Sequence, residues 1–596
     1  MDKQKKPQAE NRQQSKGLLK RPESLLHNFR LRLAHTEALP QLAILGILSG
    51  FATGLVAVMF RLGIEWPLQS LLPGHDSENF EGLPLEIRFL LPFIGAIVIG
   101  AIFYFNPPKT RSVGVGHVIE RYHHHQAHLP LRNVILQFIG GILAAVSGHS
   151  VGREGPAVHL GAASSSLLGQ LFKLPNNSLR ILVGCGVASA IAASFNTPLA
   201  GVILAMEVVL MEYTITGFIP VILAAVCGAV TSRIFFGNTP AFDIPSLAMV
   251  SLLELPFLAL CGVIVGLASA AMLSLHRYTL RLRKWSLPLR MLGAGLIAGS
   301  AGVLVPQVMG IGYDTLELAM RGDIGLTLLL TIVVAKLLTS TTTIALGIPG
   351  GSIGPTLIIG ACLGGCLGII GNSFNASESA AIGFYATVCM GAMMAGVLNA
   401  PLAALIALLE LTYNPHILLP GMLVIVISCI TARMVSRLPG LFLVGQQISQ
   451  PSSPISQALN RIGVTSVMTS DFIAHSRYLP QSDGKTLLQS HPEWVAIEDI
   501  DGDRQNEKYL LRAADLSRYL QTLEQQPEQE QTVDLLEIPA ERWRLYPIHP
   551  RATLHEAMKL IRQKNGYAVY VTQAIPALTP DIAGIITQER IDRYYQ

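Results

Sequence analysis

The sequence predicts an all-α polytopic membrane domain, built as two related halves with broken helices and followed by a small α/β domain. Three observations carry that prediction. The composition is that of a chain dissolved in lipid, a glycine- and proline-rich block recurs at a constant offset, and the chain changes character after Val444.

Of the 596 residues, 50% are hydrophobic and 14% are charged, with a mean hydropathy of +0.45. A soluble globular chain carries about a quarter charged residues, so lipid is the main solvent. The net charge of +4 is small for this length and gives no sign of a nucleic-acid partner. Cys185, Cys227, Cys261, Cys362, Cys366, Cys389 and Cys429 lie in apolar stretches without a CxxC pair. They read as small buried hydrophobes, not as a disulfide frame or zinc site.

Residues 1–37 read as a basic tail, with Lys3, Lys5, Lys6, Arg12, Lys16, Lys20, Arg21, Arg30 and Arg32 against Asp2, Glu10 and Glu23. The positive-inside rule keeps this end in the cytoplasm, and it has no signal-peptide pattern. The membrane domain is expected over 38–445, in halves of about 38–235 and 250–445. Its clear apolar stretches are 42–63, 88–105, 133–147, 251–275 and 417–432. Several reach the roughly 20 residues a spanning helix needs. Others, such as 179–194 and 355–370, are expected to be short or cut by glycine and proline, which is tolerated only where they are buried or line a cavity. The loop carrying Arg277, Arg281, Arg283, Lys284 and Arg290 is expected to face the cytoplasm.

Residues 446–460 read as a polar linker, and 461–596 as a small cytoplasmic α/β domain of two related halves. Its end is clearest: 553–566 has helical periodicity, 567–571 reads as a strand, and 583–595 as strand then helix.

The internal repeat carries the functional reading. Gly148, Gly152, Gly155, Pro156, Gly161 and Gly169 match Gly347, Gly351, Gly354, Pro355, Gly360 and Gly368 at an offset of 199. Asn196-Thr197-Pro198-Leu199-Ala200 is followed by Glu207, and Asn399-Ala400-Pro401-Leu402-Ala403 by Glu410, each glutamate eleven positions after its asparagine. Such repeats build secondary transporters, with the substrate near the midplane where broken helices meet. Each glycine turn precedes a proline and an apolar helix. Proline suits a first helical turn, glycine lets backbone N–H groups approach a ligand, and a helix N-terminus is an anion site. Two such termini would bind an anion weakly enough to release it. Close helix packing is the competing reading of the glycines. Glu154, inside the first turn, can occupy the site as a tethered anion and leave it when protonated; a structural pair with Arg153 is the alternative.

The run Gly152-Arg153-Glu154-Gly155-Pro156 resembles the GREGP motif of the CLC chloride channel and chloride/proton antiporter family. GGSIGP (350–355) is similar to that family's GGxFxP motif, and 195–207 to its FNxPLAG block. The resemblance spans roughly residues 38–445. It implies an inverted-repeat helical fold, a homodimer with one anion pathway per subunit, and Glu154 as the gating glutamate. It further implies an anion site formed by Gly114, Val115, Gly116, Gly152, Arg153, Gly155, Ser352, Ile353 and Phe442.

The departures matter. Val115 stands where the family's chloride-contacting serine belongs, which removes a hydroxyl donor. Ile353 replaces the aromatic of GGxFxP, and Phe442 aligns with the pore tyrosine. Val208 replaces the second glutamate of the antiporters' pair, the internal proton relay. Glu207 and Glu212, expected on one helix, are the remaining candidates for a proton route, while the repeat at Glu410 offers a structural role for Glu207. The C-terminal domain resembles a tandem CBS pair, an adenine-nucleotide-sensing module. The second half keeps Gly584 and Thr587 but has Arg590 in place of the ribose-binding aspartate; the first keeps Asp515 but has Tyr509 and Arg512 for glycine and threonine.

His123, His124, His125 and His128 read as a polar loop near the membrane surface, since adjacent positions do not share a helix face. His159 reads as a satisfied polar residue between helices. The expectation is a channel-like chloride conductor in a bacterial inner membrane, not an enzyme, with chloride as transported ion and no cofactor or metal. A chloride/proton antiporter with another proton route, a transporter of fluoride or another anion, and a nucleotide-sensing membrane receptor are the alternatives.

Overall fold

The structure, a computed structural model, describes residues 29–34, 38–213, 215–238, 248–374, 380–446, 454–499, 507–524, 532–573 and 582–594. The chain divides into two compact units. One comprises residues 1–41, 173–178 and 452–596, the other residues 42–172 and 179–451.

The larger unit is a helical assembly. Its first half contains α1 (Leu39–Leu71), α2 (Leu85–Tyr104), α3 (Val115–His124), α4 (Leu131–Val146), α5 (Glu154–Leu171), α6 (Asn176–Phe195), α7 (Pro198–Leu204) and α8 (Ile215–Phe236). Its second half contains α9 (Leu255–Leu280), α10 (Leu287–Leu304), α11 (Tyr313–Arg321), α12 (Leu326–Leu346), α13 (Ile353–Phe374), α14 (Ile382–Leu398), α15 (Pro401–Thr412) and α16 (Leu418–Ser436). Among the described residues, nine helical stretches are long and apolar enough to cross a bilayer.

Small residues let these helices approach. A Cβ on Gly46 or Gly50 of α1 would fall 2.6 Å from the Pro220 or Ala224 carbonyl oxygen of α8. Gly266 of α9 lies as closely on α16 and Gly360 of α13 on α14, while a Cβ on Gly262 of α9 would fall 2.9 Å from Ile427 of α16. This is the small-residue packing of membrane helices, where hydrophobicity cannot drive association. The same property corrects an expectation. Segments 179–194 and 355–370 are not broken; they lie in the continuous helices α6 and α13. Their glycines are contact points, and the breaks fall in the turns before α5 and α13. Every residue of α14 from Gly383 to Leu398 is buried, which a helix apolar on all sides requires.

The C-terminal unit is α/β, with helices α17 (Pro454–Asn460), α18 (Gln481–Leu488), α19 (Ala513–Glu524), α20 (Leu554–Gln563) and α21 (Gln588–Asp592). Its strands are β1 (Phe472–Ser476), β2 (Tyr478–Pro480), β3 (Trp494–Asp499), β4 (Glu507–Arg512), β5 (Thr532–Asp534), β6 (Arg542–Ile548), β7 (Ala568–Thr572) and β8 (Ile582–Thr587). A six-stranded sheet runs β1-β3-β4-β6-β7-β8, and β2 pairs with β5. β1 runs parallel to β3 and β6 to β7, while β3–β4 and β7–β8 are antiparallel. The two halves therefore repeat one pattern. Thr553 and Glu556 close a reciprocal capping box on α20, which is why the helical periodicity at 553–566 was legible.

The linker expectation needs revision. Residues 447–453 lie outside the described residues, but 454–460 form α17, whose Leu459 is fully buried in the core of this unit. Of the expected basic tail, residues 29–34 are helical and residues 1–28 and 35–37 lie outside the described residues.

Candidate functional site

The two glycine-rich turns meet in the structure. Gly152 N–H donates to the Gly351 carbonyl at 2.7 Å, and Gly351 N–H donates to the Gly152 carbonyl at 2.7 Å. α5 then begins at Glu154 and α13 at Ile353. The surrounding backbone matches: Gly148 and Gly347 both take positive φ, and Val151 bonds to His149 as Gly350 does to Ile348, each at 2.8 Å. A reciprocal exchange of one bond is the mark of a local two-fold relation. No side chain fits between the turns, since a Cβ on Gly155 would lie 2.6 Å from the Gly351 α-carbon. Each helix leaves its first N–H groups without intrahelical partners and carries about half a positive charge at that end. Two such ends in contact favour an anion without supplying a full countercharge.

Glu154 is fully buried at this junction. The Tyr313 hydroxyl at the start of α11 donates to Glu154 Oε1. Glu154 Oε2 borders Gly152 and Gly354, so its carboxylate lies against both turns. Arg153 Nη1 reaches Glu65 Oε1 of α1 at 3.1 Å, while its Nε stands 3.9 Å from Glu154 Oε1. The guanidinium also lies 5.3 Å from the Tyr313 ring centre. Arg153 thus shares its charge between two carboxylates. Tyr313 was missed by sequence reasoning, because nothing in the spacing joins it to a residue 159 positions away.

Of the other expected anion contacts, Ser352 is buried immediately before α13 and Ile353 opens it, buried as well. Gly114 and Val115 start α3, with Val115 buried and Gly114 at φ +86°. Gly116 faces the Phe442 carbonyl and the Gln446 side chain. Gly114 N–H donates to His159 Nδ1 of α5 at 3.4 Å. The residues thus fall into two groups bridged by α5: Gly152 to Gly155 with Ser352 and Ile353, and Gly114 to Gly116 with Phe442.

Glu207 and Glu410 exchange places across the repeat. Glu207 accepts N–H bonds from Leu402 at 3.3 Å and Ala403 at 2.7 Å, in the first turn of α15. Glu410 accepts from Leu199 at 3.0 Å and Ala200 at 2.7 Å, in the first turn of α7. Each carboxylate caps the opposite half's helix. Val208, beside Glu207, is buried. Glu212 does not share the Glu207 helix. After α7 the chain makes a π-helical turn over Ala205–Leu210, and Met211 adopts left-handed backbone, so Glu212 lies beyond the helix end. There it stands 3.8 Å from Arg180.

The histidine run is also corrected: α3 extends through His123 and His124, so these two are helical and not loop. Among the described residues, no group of three or more His, Cys, Asp or Glu side chains is placed to hold a metal.

The family described as voltage gated chloride channel matches residues 94–433. A ClcB-like protein of Ralstonia nicotianae, named as a chloride channel protein, is 30% identical over 402 residues, covering 66% of this chain and 93% of its own. The H(+)/Cl(-) exchange transporter ClcA of Vibrio cholerae is 27% identical over 443 residues, covering 71% and 92%. Among solved structures, a slow cyanobacterial Cl-/H+ antiporter is similar with a TM-score of 0.60 at 19% identity, covering 68% of this chain and 96% of its own. A eukaryotic CLC transporter gives 0.57 at 17% identity and covers 95% and 98%, so the likeness of fold extends into the C-terminal unit.

Proposed function

Because the chain belongs to the voltage-gated chloride channel family and is an integral membrane protein that moves anions, we propose that chloride passes between the paired N-termini of α5 and α13 with Glu154 as its gate. The observation that carries this reading is the reciprocal Gly152–Gly351 pairing with the Glu154 carboxylate against it. An ionised Glu154 takes the position a free anion would use. Protonation removes its charge and its claim on the helix ends, and chloride replaces it. The groups at Gly114–Gly116 and Phe442 form the second part of the path.

Conduction is channel-like in this reading, because Val208 holds no titratable group where the exchangers' relay stands. Glu207 is committed to two backbone N–H groups. A second reading, exchange of chloride for protons, is favoured by the names of the exchange transporters among the relatives. The test is paired chloride and proton flux from proteoliposomes. Chloride movement without accompanying protons supports the channel, a fixed stoichiometry supports exchange, and no chloride movement overturns both.

Val115 removes a hydroxyl from the path, so an anion competition series including fluoride tests the preference for chloride. The protein works as a homodimer in a bacterial inner membrane, with both termini in the cytoplasm. The C-terminal unit is CBS-like in its repeated strand and helix order. Arg590 Nε donates to the Val467 carbonyl at 3.1 Å, a commitment that argues against a ribose contact there. A thermal shift of the full chain with adenine nucleotide tests whether the unit binds one.

A further inference from the structure

Four polar side chains from three helices meet inside the membrane unit: His117 of α3, Asn133 and Gln137 of α4, and His159 of α5. All are buried. The two imidazole rings stand edge to face, 5.5 Å apart. Asn133 Nδ2 donates to the Ser112 carbonyl at 2.8 Å and lies 3.3 Å from His117 Nε2. Gln137 Nε2 donates to the Pro349 carbonyl at 3.1 Å. Three buried atoms have no hydrogen-bond partner: His117 Nδ1, Asn133 Oδ1 and His159 Nε2.

The conflict lies at His159 Nδ1. Gly114 N–H reaches it at 3.4 Å and needs its lone pair. Gln137 Oε1 stands 3.3 Å away and needs a proton on it, because the amide nitrogen of Gln137 is already committed. One nitrogen cannot serve both. With Nδ1 bare, His159 accepts from Gly114. With a proton on Nδ1, as the neutral Nδ1–H tautomer or as the imidazolium, it donates to Gln137 and releases Gly114 N–H. An anion at that N–H favours the charged imidazolium over the neutral tautomer. Gly114 opens the α3 segment of the anion path, and open space lies where its Cβ would be.

We infer that His159 is a proton-binding site that couples protonation to anion binding, by freeing the Gly114 N–H for the anion. This rests on the proposed path through Gly114–Gly116. His159 is a positioning residue, acting through Gly114. One proton from solvent binds Nδ1, and the anion balances its charge. The titratable group facing His159 is His117. His117 in turn faces Glu120, 3.8 Å from its Nδ1, and also feels Arg121 and His125 of the same chain segment. The contributions from α4 and the turn before α13 are the neutral Asn133, Gln137 and Pro349 groups above.

The test uses full-length protein carrying Glu154→Gln, which removes the gate's own titration. Chloride binding and proton uptake are measured calorimetrically over about pH 4–8, a window that covers the ordinary imidazole range and extends below it. Chloride Kd should tighten by up to about tenfold per unit fall in pH, with proton uptake approaching one per anion, as reciprocal linkage requires. Absence of proton uptake overturns the inference. His159→Gln should abolish the slope, since a glutamine can accept from Gly114 and donate to Gln137 at once; His117→Gln should move the slope in pH without removing it. His159→Asn serves as the second variant should glutamine impair folding, and an undiminished slope in the folded variant overturns the inference. If wild-type protein moves no chloride, the proposed function fails. If it moves chloride and the slope ignores His159, only this inference fails.

Discussion

At the scale of single residues, the site turns on Glu154 and the groups that compete for its carboxylate. Glu154→Gln carries no charge at any pH. Chloride flux in the double variant Glu154→Gln/His159→Gln should be insensitive to external pH, measured by efflux from proteoliposomes at stepped pH; a double variant that keeps all the pH dependence of His159→Gln alone would remove Glu154 from the gate. Tyr313 stabilises the position in which Glu154 covers the junction. A hydrogen bond to a charged group contributes about 1.5–3 kcal/mol, so Tyr313→Phe should shift the gate toward release. The expected result is roughly a tenfold rise in chloride flux at neutral pH, read in the same assay. An unchanged rate would mean that the phenol contact does not limit opening.

At the scale of elements, the repeat is a structural exchange as well as a resemblance between two stretches of sequence. Each half caps a helix of the other through Glu207 and Glu410, while Asn196 and Asn399 take the same left-handed turn, both at φ +58°, before α7 and α15. A capping side chain contributes about 1 kcal/mol. Glu207→Gln and Glu410→Gln should therefore each lower thermal stability by a similar small amount, measured by thermal unfolding in detergent. The ratio of proton to chloride flux should be the same in both variants and in wild type. A change of ratio confined to Glu207→Gln would restore a transport role for that residue.

At the scale of the whole molecule, one chain carries two compact units, an apolar helical one and an α/β one. The α/β unit carries ion pairs among its described residues. The Arg477 guanidinium bonds both oxygens of Asp534, at 2.7–3.0 Å, and holds its carboxyl below the usual carboxylate range. A carboxyl with a depressed native pKa adds stability above its unfolded value, near 3.9, and loses it as pH falls through the native value. The stability difference between wild type and Asp534→Asn should be constant from about pH 5 upward and shrink in acid. Chemical unfolding followed by Trp494 and Trp543 fluorescence checks this; a difference that grows in acid would contradict it.

Much of this was legible without coordinates. Hydropathy identified lipid as the solvent, because a chain this poor in charge cannot stay dissolved in water as separate helices. The 199-residue offset identified two equivalent glycine turns, because a helix N-terminus at which chains touch tolerates only glycine and proline at set positions. Periodicity at 553–571 located a helix and strand, because a capping box and an amphipathic face are local properties. What the sequence could not reveal is every contact between residues distant along it: the Gly152–Gly351 pairing, Tyr313 on Glu154, the exchange of Glu207 and Glu410, and the meeting of His117 with His159. It also misjudged α6 and α13, where glycines that look like breaks are points of close approach. Local sequence specifies which backbone conformations and faces a segment favours; which segments meet depends on three-dimensional packing, and the chemistry of this site lies almost entirely in those meetings.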